Sequence, residues 1–294
     1  MYINNNSMAS NVANTLTSHY NNLSTSTQRL SSGLRVNSAA DDAAGLAIRE
    51  LMRSDIAALQ QGQRNANDAI SLIQTADGAL GVIDEKLVRM KELAEQAATG
   101  TYDSTQRLMI ESEYQAMASE ITRIANATDF NNIKLLDGSL SSDTHDGSGM
   151  AATGKLKVHF GSANDSAEDY YYIKIGNCTA SALGVGNQAD SGADAYTVST
   201  QEAAQKALIG INNAIVSKDK IRADLGAMQN RLENTITNLT TQAENLQSAE
   251  SRISDVDVAT EMTNFVSNQI LTQSAVAMLS QANSMPQMAL QLIQ

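Results

Sequence analysis

Cysteine occurs once in the 294 residues, at Cys178, and proline once, at Pro286. A lone cysteine excludes an internal disulfide and any thiolate metal cluster. One proline leaves almost nothing to interrupt long helices. Tryptophan is absent, phenylalanine occurs three times, and aromatic residues make up 4% of the chain. Large rings usually supply much of a compact globular core. Here the 42% apolar content is mostly Ala, Leu, Ile, Val and Met, which suit helices packed along a seam. Cations are also scarce, 20 Lys and Arg against 32 Asp and Glu, for a net charge of -12. That balance argues against nucleic acid, whose phosphates require clustered cations. It argues equally against an anionic membrane surface. No run of 18 apolar residues exists, so no spanning helix is predicted. Residues 1–10 lack a basic start and an apolar core, so no secretory signal peptide is predicted there.

What is present is periodicity. Ala66, Ala69, Ile73, Ala76, Leu80, Ile83, Leu87, Met90, Ala94 and Ala97 alternate spacings of three and four without a miss. That is a coiled-coil seam sustained for more than four heptads. It extends backwards through Leu59, Met52 and Ile48, with weak points at Gly62 and Asp55. Gly100 reads as a helix stop, and Tyr102-Asp103-Ser104 as the next cap. A second helix carries Ile110, Tyr114, Met117, Ile121 and Ile124. A third runs through Leu225, Met228, Leu232, Ile236, Leu239, Ala243, Leu246, Ala249 and Ile253. Three such helices can bury their seams against one another.

Between about 138 and 200 the composition shifts, taking nine of the 17 Gly and four of the eight Tyr. Lys155–Phe160 alternates with period two, and Tyr170–Ile175 is a second strand candidate. A β-hairpin or small sheet is predicted between two helical arms. The fold class is therefore mainly α, a long antiparallel coiled-coil-like helical bundle made from both ends of the chain, with a small β insertion in the middle.

The two ends resemble each other. Residues 1–40 hold only Arg29 and Arg35 as charged side chains, and residues 262–294 hold none. Val12, Leu16, His19, Leu23 and Leu30 line one face of the first end. Val258, Met262, Phe265, Val276 and Leu279 are read as one side of the other. The remaining positions are mostly Asn, Ser, Thr, Gln and Ala. Such helices do not enter lipid, where their polar faces go unsatisfied. Alone in water they bury too little to offset ordering, so unstructured ends are expected in a single copy. In a polymer both faces can be covered, and the lack of charge then spares desolvation at each contact. Val12, Leu16, Leu23, Leu30, Met262, Phe265, Ile270, Val276, Leu279, Leu290 and Leu292 are the residues assigned to polymerisation.

Catalytic and metal-binding patterns are missing. His19, His145 and His159 lie in separate segments, and no H-E-x-x-H, P-loop or G-x-G-x-x-G occurs. Asp41-Asp42 and Asp255/Asp257 are read as helix-entry charge and capping rather than acid/base pairs. Glu168-Asp169 is read as solvating a turn, and Cys178 as inert. No enzyme activity, cofactor or metal is expected.

Several segments in order resemble bacterial flagellin. Leu30-Ser-Ser-Gly-Leu-Arg-Val-Asn-Ser-Ala-Ala-Asp-Asp-Ala-Ala-Gly-Leu-Ala-Ile48, Arg64–Ile70 and Thr75–Leu80 are similar to the family's N-terminal arm. Ser251–Glu261, Gln269–Leu271 and Gln281–Gln287 are similar to its C-terminal arm. The resemblance implies a subunit of the bacterial flagellar filament. Residues 1–42 and 255–294 would form an inner filament-core domain, 43–140 and 200–254 a helical rod domain, and 141–199 a short variable outer segment. It implies secretion through the flagellum's own channel and an extracellular polymer. The implied partners are other copies of itself, an export chaperone, the filament cap, hook-junction proteins, and the vertebrate flagellin-sensing Toll-like receptor. Arg89, Leu93 and Glu113 occupy the positions matching the receptor epitope, with Arg89 and Leu93 expected on one helix face, turned away from Leu87 and Met90. A hook–filament junction protein, which has similar ends, is the alternative.

Overall fold

A computed structural model describes residues 6–149, 153–163, 165, 168–186 and 197–293, the last five without their side chains. Five helices dominate it: α1 (Ser7–Ser32), α2 (Ala43–Ala98), α3 (Ser104–Ala127), α4 (Gln201–Ser254) and α5 (Val258–Ile293). Three antiparallel strand pairs lie between α3 and α4. They are β1 (Asp129–Phe130) with β2 (Ile133–Lys134), β3 (His145–Asp146) with β4 (Thr153–Gly154), and β5 (Leu156–His159) with β6 (Tyr170–Ile173). The chain divides into two compact units, one of residues 1–56 and 243–294, the other of 57–242. The division falls inside α2 and α4.

In the larger unit the α2 seam is buried as its spacing predicts. All ten positions from Ala66 to Ala97 are at most 4% exposed. They meet Ile110, Tyr114, Ala118, Ile121 and Ala125 of α3, and Leu225 and Leu232 of α4, in one core. Asp103 caps α3 through Ser104 N, and the Gln106 side chain returns the bond to Asp103 N at 3.0 Å. This reciprocal arrangement satisfies donors that the first helical turn leaves open.

The hairpin forms with Leu156 opposite Ile173 and His159 opposite Tyr170. It rests on α2, where Asn65 Nδ2 donates to the His159 carbonyl at 2.8 Å. Gly62, a gap in the apolar pattern, allows this approach: a Cβ there would meet the Phe160 carbonyl oxygen at 1.9 Å. Asp169 does not solvate the turn. Its side chain is buried and accepts from Asp165 N at 2.7 Å, while its carbonyl accepts from Phe160 N and Gly161 N. A short polar loop needs those bonds to close.

Lys218 occupies a seam position of α4, in series with Ala204, Ala207, Ile211, Ala214 and Leu225. It is 1% exposed and pairs with Asp84 of α2 and with Asp219. Seven residues before Asp84, Asp77 accepts from Arg222 Nε at 2.7 Å. Two pairs thus tie α4 antiparallel to α2, and a buried pair of this kind sets helix register better than it adds stability.

In the smaller unit the two ends are helical and paired with each other, antiparallel, rather than unstructured. Each supplies the partner seam that the other lacks. At the base of the pair Leu34 bridges Asp255, with Arg35 N donating to the Ser254 carbonyl and Val256 N to the Gly33 carbonyl. Gly33 ends α1 at φ 73°, a left-handed cap that glycine adopts without strain. Near the tips, Asn6 has two tasks. Its Oδ1 accepts from Ala9 N at 3.1 Å and caps α1. Its Nδ2 donates to the Ala282 carbonyl at 2.8 Å. That carbonyl lies four residues before Pro286, which has no N–H to give it.

Two expectations follow. Asp84→Ala lowers the unfolding free energy in urea by about 2 kcal/mol, because it strips a buried ammonium of a partner, whereas Lys218→Met leaves it equal or higher. Asn6→Ala loosens the tips by about 1 kcal/mol, seen as roughly five-fold faster amide exchange in the first turn of α1.

Candidate functional site

The paired ends present the candidate site. On α1, Val12, Leu16, Leu23 and Leu30 are half-buried and, with His19 and buried Ser26, form the stripe that faces α5. The facing stripe of α5 differs from the one predicted. It runs Glu261, Phe265, Asn268, Thr272, Ala275, Leu279, Ala282, again at alternating four and three. Phe265 and Leu279 belong to it. Val258, Met262 and Val276 do not; they are exposed, as is Ile270. The reason is that apolar residues surround α5, so periodicity alone does not say which face turns inward. The side chains of Leu290 and Leu292 lie outside the described residues.

The outcome is an inverted helix. Its inward stripe contains a carboxylate, an amide and a hydroxyl, while Val258, Met262, Val266, Ile270, Leu271, Val276 and Met278 are each 43–57% exposed. No formal charge interrupts that outer surface from Met262 onward. Solvated helix faces usually carry charge, and contiguous apolar ones mark contact sites. Val266, Leu271 and Met278 were not singled out from sequence; their exposure depends on the rotation of α5 about its own axis.

Glu261 is the one charged residue of α5 and Arg29 the one charged residue of α1. They face each other, with Arg29 Nη1 3.8 Å from Glu261 Oε2. The carboxylate is 9% exposed, and Arg29 Nε is buried with no hydrogen-bond partner.

The capping reading of the acidic pairs holds for one member of each, Asp42 and Asp257; Asp41 closes a turn and Asp255 follows the end of α4. Asp42 Oδ1 accepts from Gly45 N at 2.9 Å at the start of α2, and Asp257 Oδ1 from Ala259 N at 3.0 Å at the start of α5. Asp41 accepts from Ser38 N, and Asp255 from the Ser251 hydroxyl. Bonds from Ser38 hold the Asp41 carboxyl below its ordinary value, and bonds from the Thr260 hydroxyl and amide do the same for Asp257. Burial pushes the Cys178 thiol up to about 12, which keeps it protonated and unreactive. Among the described residues no three His, Cys, Asp or Glu gather as metal ligands, and no helix is long and apolar enough to cross a membrane.

The receptor-type residues divide. Arg89 of α2 donates from Nε and Nη2 to Glu113 Oε1 of α3 at 2.9 and 2.8 Å, and from Nη1 to Glu92 at 2.9 Å. Both Arg89 and Glu113 are exposed. Leu93 is not on that surface: it is 2% exposed and lies in the core with Leu87 and Met90. A helix that packs against two partners buries a stripe wider than a two-position seam, and Leu93 falls on its flank.

Comparison with known proteins accords with this architecture. Residues 3–141 match the bacterial flagellin N-terminal helical region, and residues 208–293 the C-terminal helical region. The chain is 41% identical to the flagellar filament 33 kDa core protein of Treponema phagedenis over 293 residues, covering all of both chains. It is 44% identical to the flagellin of Bacillus subtilis over 311 aligned positions, again covering both completely. A Vibrio parahaemolyticus protein provisionally assigned as flagellar hook-associated shares the fold, with a TM-score of 0.55 at 15% identity over 73% of this chain and all of that one. With family regions matched at both ends and identity above 40% across the whole length, the chain belongs to the bacterial flagellin family, whose members are structural filament proteins rather than enzymes.

Proposed function

We propose that this chain is the structural subunit of a flagellar filament and self-assembles outside the cell by burying the outer face of α5 against neighbouring copies. The observation that carries the reading is the charge-free surface from Met262 to Met278, on which Met262, Val266, Ile270, Leu271, Val276 and Met278 are exposed among uncharged polar residues. In one copy it faces water at a cost of about 25 cal/mol for each Å² of apolar area. In a polymer of identical chains that cost is removed at every contact, with no ion to desolvate. Stability of the paired ends and addition of a subunit are then linked, because only the assembled state covers both faces of α5.

In the filament, residues 1–42 and 255–294 form the inner core, 43–140 and 200–254 the rod layer, and 141–199 the outer segment. Export proceeds through the flagellar channel, with a chaperone covering the apolar ends, and assembly proceeds under a filament cap on hook-junction proteins. Identity favours the filament subunit over a hook–filament junction protein. Whole-length relatives above 40% identity include a filament core protein and a flagellin, whereas the likeness to the hook-associated protein is one of fold.

A second role, as ligand of the vertebrate flagellin-sensing receptor, is favoured by one observation. Arg89 and Glu113, from different helices, form an exposed, multiply bonded pair. In this reading they contact the receptor, and buried Leu93 holds α2 against α3 beneath them.

Deletion of residues 262–294 abolishes filaments in electron micrographs, while circular dichroism retains the helicity of α2, α3 and α4. Filaments from the truncated chain refute the assembly reading. Arg89→Ala lowers receptor activation by monomer at least ten-fold in a reporter assay without shifting the thermal midpoint, since an exposed ion pair adds at most about 1 kcal/mol of stability. Unchanged activation refutes the receptor role.

A further inference from the structure

Burial of apolar area does not account for the face that α5 turns toward α1. The inward stripe spends positions on Glu261, Asn268 and Thr272, while Val258, Met262, Val266 and Ile270 look out. Turned by about a third of a rotation, α5 would bring Val258, Met262 and Val276 toward the same leucines of α1, along with the uncharged Gln269, Gln273 and Ser280, so packing alone does not single out the observed face. At the base Val256 N is itself bonded to the Gly33 carbonyl, and Asp257 alone joins it to the first residue of α5. Backbone bonds at the base therefore fix where the pair begins, the Asn6 bond to the Ala282 carbonyl ties the far tips, and the Arg29–Glu261 pair lies on the stretch between them.

We propose that the Arg29–Glu261 pair selects the face of α5 that turns outward, and so decides which surface is offered to neighbouring copies. Each helix of the pair has one charge, the two are opposite, and they meet. When α5 rotates, Glu261 leaves Arg29, and a guanidinium whose Nε is buried keeps only the more distant field of Asp41. Other cations are committed elsewhere: Arg35 donates to the Ile253 carbonyl at 2.6 Å and Arg49 to the Val36 carbonyl at 2.7 Å. Glu261 is buried and Arg29 partly so, and the best-attested use of a lone ion pair set into a helix seam is to specify one arrangement among several of similar packing energy. The polar inner stripe then follows from the position of the charge, and the apolar outer face is its consequence. This rests on the assembly reading only for the purpose of the outer face; the rotation itself concerns a single chain.

Cysteine cross-linking of the full-length monomer at low concentration tests it. Leu23→Cys is combined with Phe265→Cys, on the inward stripe, or with Val266→Cys, at nearly the same height but on the outer face. With Arg29 and Glu261 intact, the Leu23/Phe265 pair is expected to cross-link at least ten-fold faster than Leu23/Val266. With Glu261→Leu added, that preference falls below two-fold or reverses, and with the charge swap R29E/E261R it returns. A preference unchanged by Glu261→Leu, or no cross-link in either pair, overturns the proposal. Filament formation is scored in parallel without the added cysteines. If neither the parent chain nor the charge swap polymerises, the assembly reading fails, while the cross-link ratio still judges the rotation.

Discussion

Taking charge out of water is costly, and the terminal helices are composed so that it is hardly ever necessary. From Met262 onward no side chain bears a formal charge, and residues 1–40 bear two. An uncharged helix with apolar residues all round has no face suited to water. Pairing α1 with α5 covers one stripe of α5 and leaves the opposite one open, so a single chain cannot finish its own burial. The other properties of the smaller unit follow from this. Its seam can be small and partly polar because the seam is not the main place where apolar area disappears. In the proposed filament its outer face can be apolar, since identical neighbours would cover it.

The larger unit handles electrostatics in the opposite way. It holds a buried ammonium, Lys218, in the middle of an otherwise apolar stripe and matches it with Asp84 and Asp219. Arg222 and Asp77 repeat the tie about one turn further along α4 and two turns back along α2. These contacts lie within one chain and form once, on folding. Here charge specifies register between long helices whose Ala-rich seams would otherwise slide by a heptad with little change in packing. Where contacts are to be made between chains, charge is withheld; where they are made within one, it is used as a gauge.

This contrast also explains what was legible in the sequence. The α2 seam could be read residue by residue because an apolar residue at each third or fourth position has one face to bury, and Ala66 through Ala97 bury it. The hairpin could be read from its alternation, and Asp103 from its place after Gly100. The stripe of α5 could not. Helical periodicity is informative only when apolar residues keep to one face, and on α5 apolar and polar residues occur all round, so spacing puts Met262 and Val276 with Phe265 although they look out. Leu93 was misplaced for a related reason: spacing gives its angle on the helix but not how many partners the helix will have. Gly62 read as a flaw in the seam because the carbonyl that requires it belongs to Phe160, nearly a hundred residues away. Asp169 read as solvating because a loop-closing role depends on a fold the loop does not encode.

Asn6 and Pro286 show how specificity and affinity are divided in the paired ends. The only proline of the chain frees a carbonyl at Ala282, and the amide of Asn6 occupies it. At the other extremity Arg29 meets Glu261. Between these polar contacts the seam is generic, with Phe265 and Leu279 as its only large apolar residues on α5. Polar groups are directional and poor sources of net stability, which suits them to choosing an alignment. Apolar surface is undirected and additive, which suits it to holding many copies together once the alignment is chosen. A helix pair aligned by polar contacts and faced with uncharged apolar residues presents the same surface in every copy. Sameness of surface is what a helical polymer of one protein requires, because each contact is repeated along its length.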